Sequence, residues 1–178
     1  YQYTSKEATD EAYEYYNSLD YVDFVEYDLV VMGASSAEND EVSSSATTSY
    51  LSWGASYTGI DEYLSYLSYI YDESELERVY VPILDSGINT DHSLFQGRYS
   101  SVYGRNFTST TADGTVVPDE NFEDDNNHGS HTSGIIADQT LDNVILIPLK
   151  VLRANGKGSV TMIATAIEYV ISIKESYN

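Results

Sequence analysis

The chain has 178 residues, of which 42% are hydrophobic, enough for one sizeable core or for a small module beside part of a larger one. Its 29 acidic and 8 basic residues give a formal net charge of -21, which opposes binding to nucleic acid or to an anionic membrane surface. The absence of cysteine excludes a disulfide framework and a thiolate metal cluster, and no stretch approaches the roughly 20 apolar residues of a membrane span.

The first part of the chain predicts a helix followed by a strand. Thr4 and Glu7 have the spacing of a capping box, and apolar residues recur behind them at helical spacing, which predicts a helix over 5–18. Residues 21–32 alternate and are rich in Val, Phe and Tyr, which predicts a strand. A helix that leads into a strand indicates a small α+β module.

The next segment, residues 34–50, has almost nothing to bury. Serine, threonine, alanine and acidic residues dominate it, which predicts a mobile linker that is open to proteolysis. The sequence starts without an initiator methionine or a signal peptide, and it stops just after a helical pattern. We therefore expect the chain to be cut at both ends.

The remaining residues alternate between strand and helix patterns. Apolar runs predict strands at 78–84, 99–108 and 143–152. Helical spacing predicts helices at 63–70 and 128–137, and a third after Ser159. Residues 111–127 form a polar, acidic loop. This alternation predicts a parallel α/β sheet.

Two of these elements carry further detail. Pro82 lacks a backbone donor, which favours an edge position for the strand at 78–84 or a locally unpaired backbone group. Ser159 is the predicted N-cap of the last helix. The residues expected on the inner face of that helix are Ile163, Ala166, Ile167 and Val170.

The segment Val81-Pro-Ile-Leu-Asp-Ser-Gly-Ile88 places Asp85 at the end of an apolar strand, before a glycine turn. Functional groups of α/β sheets gather at the carboxyl ends of strands. A poorly solvated aspartate there needs a positive or hydrogen-donating partner. Taken alone, the pattern also fits an aspartate that only forms the turn.

The segment Asp124-Asp-Asn-Asn-His-Gly-Ser-His-Thr-Ser-Gly134 places His128 at the start of a helix, with glycines that permit close backbone contact. His128 and His131 would share one helical face and could bind a metal. The only other histidine is His92, however, and the acid of a His-Glu-x-x-His zinc helix is missing. We therefore expect no metal and no cofactor, and a structural role for His131.

These two segments, with the aspartate before the histidine, resemble the signatures of the subtilase family of serine proteases. The family form of the second is His-Gly-Thr-His-Val-Ala-Gly, from which Ser130, Thr132 and Ser133 depart conservatively. A third block, residues 148–170, resembles the Lys-Val-Leu, Gly-x-Gly and Ala-Ile elements of the family.

The resemblance also extends upstream. Residues 51–54 look like the start of a mature subtilase domain, and residues 21–31 resemble the closing strand of an I9-type inhibitory propeptide. The resemblance implies a propeptide end at 1–33, a flexible processing linker at 34–50, and the N-terminal half of a catalytic domain at 51–178. The expected fold is α/β, part of a subtilisin-like, mostly parallel sheet flanked by helices, preceded by a small α+β propeptide remnant.

The resemblance implies roles for particular residues. His128 would be the general base and Asp85 would orient it, while Asp124 and Asn127 would shape the loop that presents it and Asp125 would be a solvated turn. An extended substrate would pair with the segment formed by Gly156, Lys157, Gly158 and Ser159. The nucleophile motif, Gly-Thr-Ser-Met-Ala or similar, has no counterpart here, so we expect these 178 residues to be inactive alone.

Many subtilases carry a calcium site. Leu94 stands where one of its acids would fall, and residues 138–143 are too short for its usual loop. We do not predict that site.

The implied partners are polypeptide substrates and the chain's own propeptide as an intramolecular inhibitor, with no nucleic acid and no membrane span. The implied location is extracellular or at the cell surface. Two alternatives remain at this point. One is a degenerate, non-catalytic subtilase that acts as a binding or regulatory protein, and the other is an unrelated acidic α/β binding domain.

Overall fold

The computed structural model describes residues 5–33 and 53–174. The helices within these ranges are α1 (Lys6–Asn17), α2 (Trp53–Thr58), α3 (Ile60–Ile70), α4 (His128–Asp138) and α5 (Val160–Lys174). The strands are β1 (Val30–Met32), β2 (Val79–Asp85), β3 (Arg105–Asn106), β4 (Val144–Lys150) and β5 (Lys157–Ser159). None of the described helices is long and apolar enough to cross a bilayer.

The main sheet has three strands in the order β2-β4-β3, and both pairings are parallel. β4 lies in the centre of these three strands. Its residues 145–150 are all buried, as expected for a continuous apolar run in a parallel sheet. Among the described residues β2 pairs only with β4, which is compatible with the proline at position 82. The register pairs Val79 with Val144 at one end and Asp85 with Lys150 at the other.

The core lies on both faces of this sheet, because successive residues of β4 point in opposite directions. Leu146 packs on one face with Ala137 of α4. Ile147 and Leu149 pack on the other face in a cluster with Met162 and Ala166 of α5. The parallel α/β sheet flanked by helices is therefore confirmed.

The turn between α4 and β4 is held by Arg98, which is buried. Its guanidinium donates to the carboxylate of Asp142 and to the hydroxyl of Thr140. It also donates to the backbone carbonyls of Ala137, Thr140, Leu141 and Val144. These bonds connect the end of α4 to the start of β4, and so help to fix both elements that flank the candidate site.

β1 and β5 form a separate, two-stranded antiparallel sheet. Val30 lies opposite Ser159, Val31 opposite Gly158 and Met32 opposite Lys157. The pairing continues past β1, because the amide of Gly33 donates to the carbonyl of Gly156 at 2.9 Å. The segment that precedes the linker is thus an added strand on the edge formed by β5.

Most predicted elements are confirmed, but the strand predicted over 21–32 is wrong for residues 21–29, which have no regular structure. Of the predicted strand, only Val30–Met32 pair with another described strand. The alternating residues upstream have no described strand beside them to form backbone hydrogen bonds with. α1 is capped by Ser5, whose hydroxyl accepts from the amide of Ala8 at 3.1 Å. Thr4, the predicted member of the capping box, lies outside the described residues.

Two further expectations need correction. Ile167, expected on the inner face of α5, is exposed, and Met162 is buried instead. The strand predicted within 99–108 is short, with β3 covering two residues and Tyr99 forming an isolated bridge to Leu146. Ser159 does cap α5, since its hydroxyl accepts from the amide of Met162. The linker predicted at 34–50 lies outside the described residues.

We predict that Ile147→Ala lowers the free energy of unfolding by about 2–5 kcal/mol, because the side chain is 1% exposed and leaves a cavity in the core. The matched control is Ile171→Ala, which removes the same atoms from a side chain that is 64% exposed and should change that free energy by about 0.5 kcal/mol or less. Denaturant titration measures both. Equal losses would contradict the central position of β4.

Candidate active site

The site forms where β2 ends and α4 begins. Asp85 is the last residue of β2, and His128 is the first residue of α4. The Nδ1 atom of His128 lies 2.7 Å from Oδ1 and 2.8 Å from Oδ2 of Asp85. The structure therefore brings together the two residues that the sequence analysis selected for catalysis, although 43 residues separate them in the chain.

The environments of these two side chains differ. The side chain of Asp85 is 9% exposed, whereas that of His128 is 21% exposed. The carboxylate also accepts a hydrogen bond from the amide of Ser86 at 2.7 Å. A carboxylate can only accept, so Nδ1 must carry the proton. In the neutral imidazole, Nε2 is then the free acceptor.

Two glycines allow this approach. A Cβ atom on Gly129 would lie 2.2 Å from the carbonyl oxygen of Gly87. Gly87 itself has φ 111° and no room for a side chain, since its Cβ would lie 2.3 Å from the carbonyl oxygen of Phe122. The turn after Asp85 and the first turn of α4 are therefore packed backbone against backbone.

The turn before His128 is organised by Asp124. Its Oδ1 accepts from the amides of Asn126 and Asn127, each at 3.0 Å, and its Oδ2 accepts from the amide of Ser130 at 2.8 Å. Burial favours the neutral form of Asp124, but the hydrogen bonds from Ser130, Asn126 and Ser86 outweigh it and hold the pKa of this carboxyl below its ordinary value. Asp124 is therefore ionised at neutral pH.

Lys150 connects three segments of the site and is 4% exposed. Its ammonium donates to the carbonyl of Ser86 at 2.6 Å, to the carbonyl of Leu152 at 3.0 Å and to the carboxylate of Asp125 at 2.5 Å. Asp125 was expected to be a solvated turn; its side chain is 53% exposed, but it also forms this ion pair with Lys150. The ion pair compensates a buried cation, which would otherwise be costly.

The four residues expected to bind substrate, residues 156–159, form an edge that pairs with the segment ending at Gly33. Lys157, Gly158 and Ser159 form β5, and Gly156 accepts the bond from Gly33 described above. A Cβ atom on Gly33 would lie 3.8 Å from two carbons of the His128 ring and 3.4 Å from Cδ1 of Leu152. The strand on the β5 edge thus leads directly to the imidazole.

His131 is exposed, and the described contacts of Asp85 and His128 do not involve it, so the structure does not bring it into the site. Among the described residues, no three histidine, cysteine or acidic side chains converge as metal ligands.

Sequence reasoning did not identify Ser86 or Lys150 as members of the site. The signal for Lys150 is a cation at the end of an otherwise apolar strand, where burial requires partners. Ser86 has no such signal, because Asp-Ser-Gly reads as an ordinary turn.

A sequence profile described as the Subtilase family matches residues 77–176 of the chain. The chain is 30% identical to Subtilisin-like protease 3 of Saccharomyces cerevisiae over 91% of its own length and 31% of that protein. It is 36% identical to Subtilase-type proteinase psp3 of Schizosaccharomyces pombe over 57% of its length and 21% of that protein. For Cerevisin of S. cerevisiae the identity is 29%, over 83% of the chain and 21% of the relative. The chain therefore spans about a third or less of these curated relatives.

We predict that Gly129→Ala lowers the free energy of unfolding by about 1–3 kcal/mol, because the new methyl group overlaps the carbonyl of Gly87. The matched control is Gly134→Ala in the same helix, where the new Cβ would lie 3.8 Å from Leu94, an ordinary contact. That variant should gain up to about 1 kcal/mol from helix propensity. Denaturant titration distinguishes the two, and equal effects would contradict the close approach at Gly129.

Proposed function

The chain belongs to the subtilase family, and from that premise we propose that it is part of a serine endopeptidase that hydrolyses peptide bonds with an Asp-His-Ser triad. The contact between His128 and Asp85 carries the proposal. Family membership removes the alternative of an unrelated α/β binding domain.

In this mechanism His128 is the general base. Asp85 holds the proton on Nδ1, so Nε2 accepts the proton of a serine hydroxyl as that hydroxyl attacks the peptide carbonyl. The imidazolium that forms is stabilised by the adjacent carboxylate, and it returns the proton to the leaving amine. Asp85 remains ionised throughout.

We place the nucleophile outside these 178 residues, because the sequence has no counterpart of the family's Gly-Thr-Ser-Met-Ala motif. The oxyanion hole of the family likewise has no counterpart here. The chain therefore supplies the base and its orienting acid, and by itself it does not hydrolyse peptides.

The substrate-binding edge is β5 together with Gly156. An extended peptide that adds to a strand edge gains backbone hydrogen bonds whatever its sequence. The pairing of β1 with β5 supports this role, since it places an extended segment on that edge. Glycine at 158 holds this edge close to the core, because a Cβ there would lie 2.2 Å from the carbonyl oxygen of Val151.

We further propose that residues 1–33 are the end of a propeptide that inhibits the enzyme by occupying this edge. Val31 packs against the core cluster that includes Leu152 and Met162. Asp28 accepts a hydrogen bond from the amide of Thr161 at 2.9 Å, which satisfies a free donor in the first turn of α5. A substrate cannot use the edge while β1 is paired with it. We propose an extracellular or cell-surface location for this enzyme.

The function is tested in the protein encoded by the complete reading frame, after the segment before residue 51 has been removed. We expect His128→Ala to lower kcat/KM for a peptide substrate by roughly 10,000-fold or more, because the base is lost. His131→Ala, three residues along the same helix and exposed, is the matched control and should stay within about twofold of wild type.

Two results would contradict the proposal. One is hydrolysis by the isolated 178-residue chain that depends on His128. The other is a complete protein that is properly folded but hydrolyses no peptide, which would favour a non-catalytic subtilase.

The inhibitory role of β1 has a separate test in the unprocessed protein. Asp28→Ala removes the acceptor at Thr161, worth about 1 kcal/mol for a cap, so we expect amide exchange at Gly33 to rise about fivefold. Hydrolysis of a short peptide should rise by the same factor, because each opening of the edge admits substrate. Asp23→Ala, which changes an exposed acid of the same segment, is the control. If amide exchange at Gly33 becomes faster while hydrolysis of the short peptide is unchanged, β1 does not inhibit the enzyme.

A further inference from the structure

A second hydrogen-bonded bridge joins the two turns of the site, apart from the contact between Asp85 and His128. The hydroxyl of Ser86 donates to Oδ1 of Asp124 at 2.8 Å and accepts from the amide of Gly129 at 2.8 Å. Ser86 follows Asp85 directly, and Gly129 follows His128 directly. The bridge therefore spans the immediate neighbours of both side chains.

The directions of these bonds are fixed by chemistry. The amide of Gly129 can only donate, so it occupies a lone pair of the Ser86 oxygen. The hydroxyl proton of Ser86 is then free to point at Asp124, which as a carboxylate accepts on both oxygens. Ser86 is fully buried, so water cannot replace either partner without rearrangement.

Asp124 carries more of these bonds than a neutral side chain could. Besides Ser86, it accepts from the amides of Asn126, Asn127 and Ser130, and from the hydroxyl of Ser130 at 2.5 Å. One set of donors bonds to Oδ1 of Asp124 and another bonds to Oδ2. An asparagine would replace one of these oxygens with an amide NH2 group, which would face donors that it cannot bond. The arrangement thus requires the carboxylate.

The bridge also replaces the usual cap of α4. Asn127, at the N-cap position, has φ 75° and makes no side-chain capping bond. The first free amides of the helix are instead satisfied by the Ser86 hydroxyl at Gly129 and by Asp124 at Ser130. The start of the helix that bears His128 is therefore set by the turn that bears Asp85.

We propose that Ser86 and Asp124 are a positioning pair that fixes the His128 imidazole against Asp85 for proton transfer, an inference that rests on the proposed function. Ser86 is fully buried and cannot contact substrate. Loss of the pair lets the start of α4 shift relative to β2. Such a displacement lowers the rate of the chemical step more than it lowers the affinity for a peptide held on β5.

The test uses the complete protein with the variants Asp124→Asn, Ser86→Ala and the double variant. We expect kcat to fall about 10- to 100-fold in each single variant, with KM within about twofold. Because the two residues form one bridge, the double variant should lose little more than the larger single loss. Glu123→Gln is the control, since this neighbouring acid accepts bonds only from Thr90 among the described residues.

A spectroscopic measurement separates this inference from the function itself. In proton NMR with nitrogen-labelled histidine, the Nδ1 proton of His128 should appear far downfield of the amides in wild type and in Glu123→Gln. It should shift or broaden through exchange with water in the bridge variants. Ser86→Ala keeps the carboxylate, so it provides the result if Asp124→Asn does not fold.

Each outcome decides the matter. A resonance that responds to the bridge variants in a protein without peptidase activity supports the positioning pair and removes the proposed function. An unchanged resonance with kcat within twofold of wild type overturns the pair while leaving the function intact. A wild-type protein that lacks the resonance contradicts both.

Discussion

The contact between the Asp85 carboxylate and Nδ1 of His128 is the interaction on which the rest of the site depends. It needs a buried acid at the end of a parallel strand and an imidazole at the first residue of a helix, delivered from distant parts of the chain. The parallel pairing of β2 with β4 fixes the acid, and the packing of α4 on one face of that sheet fixes the histidine. Glycine at 87 and 129 then removes the side chains that would keep the two backbones apart.

The charges near this contact are balanced by their immediate neighbours, and the net charge of the chain has little influence on them. The chain has a formal charge of -21, and most of its described acidic side chains are exposed, where solvent and salt screen them. The buried charges of the site are instead compensated one by one, with Lys150 paired to Asp125 and Asp124 saturated by amides and hydroxyls. This separation allows a very acidic surface to coexist with a site that needs one defined proton position.

The sequence predicted the parallel sheet and the helix at His128, because each follows from patterns of neighbouring residues. It predicted the meeting of Asp85 with His128 only through the resemblance to the subtilase family, since 43 residues separate the two along the chain. It failed where a distant partner decides the outcome. The strand expected over 21–29 has no described neighbour to pair with, and the roles of Ser86 and Lys150 depend on segments far along the chain. The antiparallel addition of β1 to β5 was not predicted either, since each of these strands has only three residues and carries no pattern that selects a partner.

The most direct measurement is a crystal structure of the complete protein trapped with a peptide phosphonate ester, which phosphonylates a nucleophilic serine and releases its alcohol or phenol leaving group. The triad requires a serine from outside these residues, bonded to phosphorus, with its oxygen within about 3 Å of Nε2 of His128 and with Nδ1 still bonded to Asp85. An unlabelled protein in which no hydroxyl group approaches Nε2, or in which the imidazole has turned away from Asp85, would contradict the peptidase mechanism.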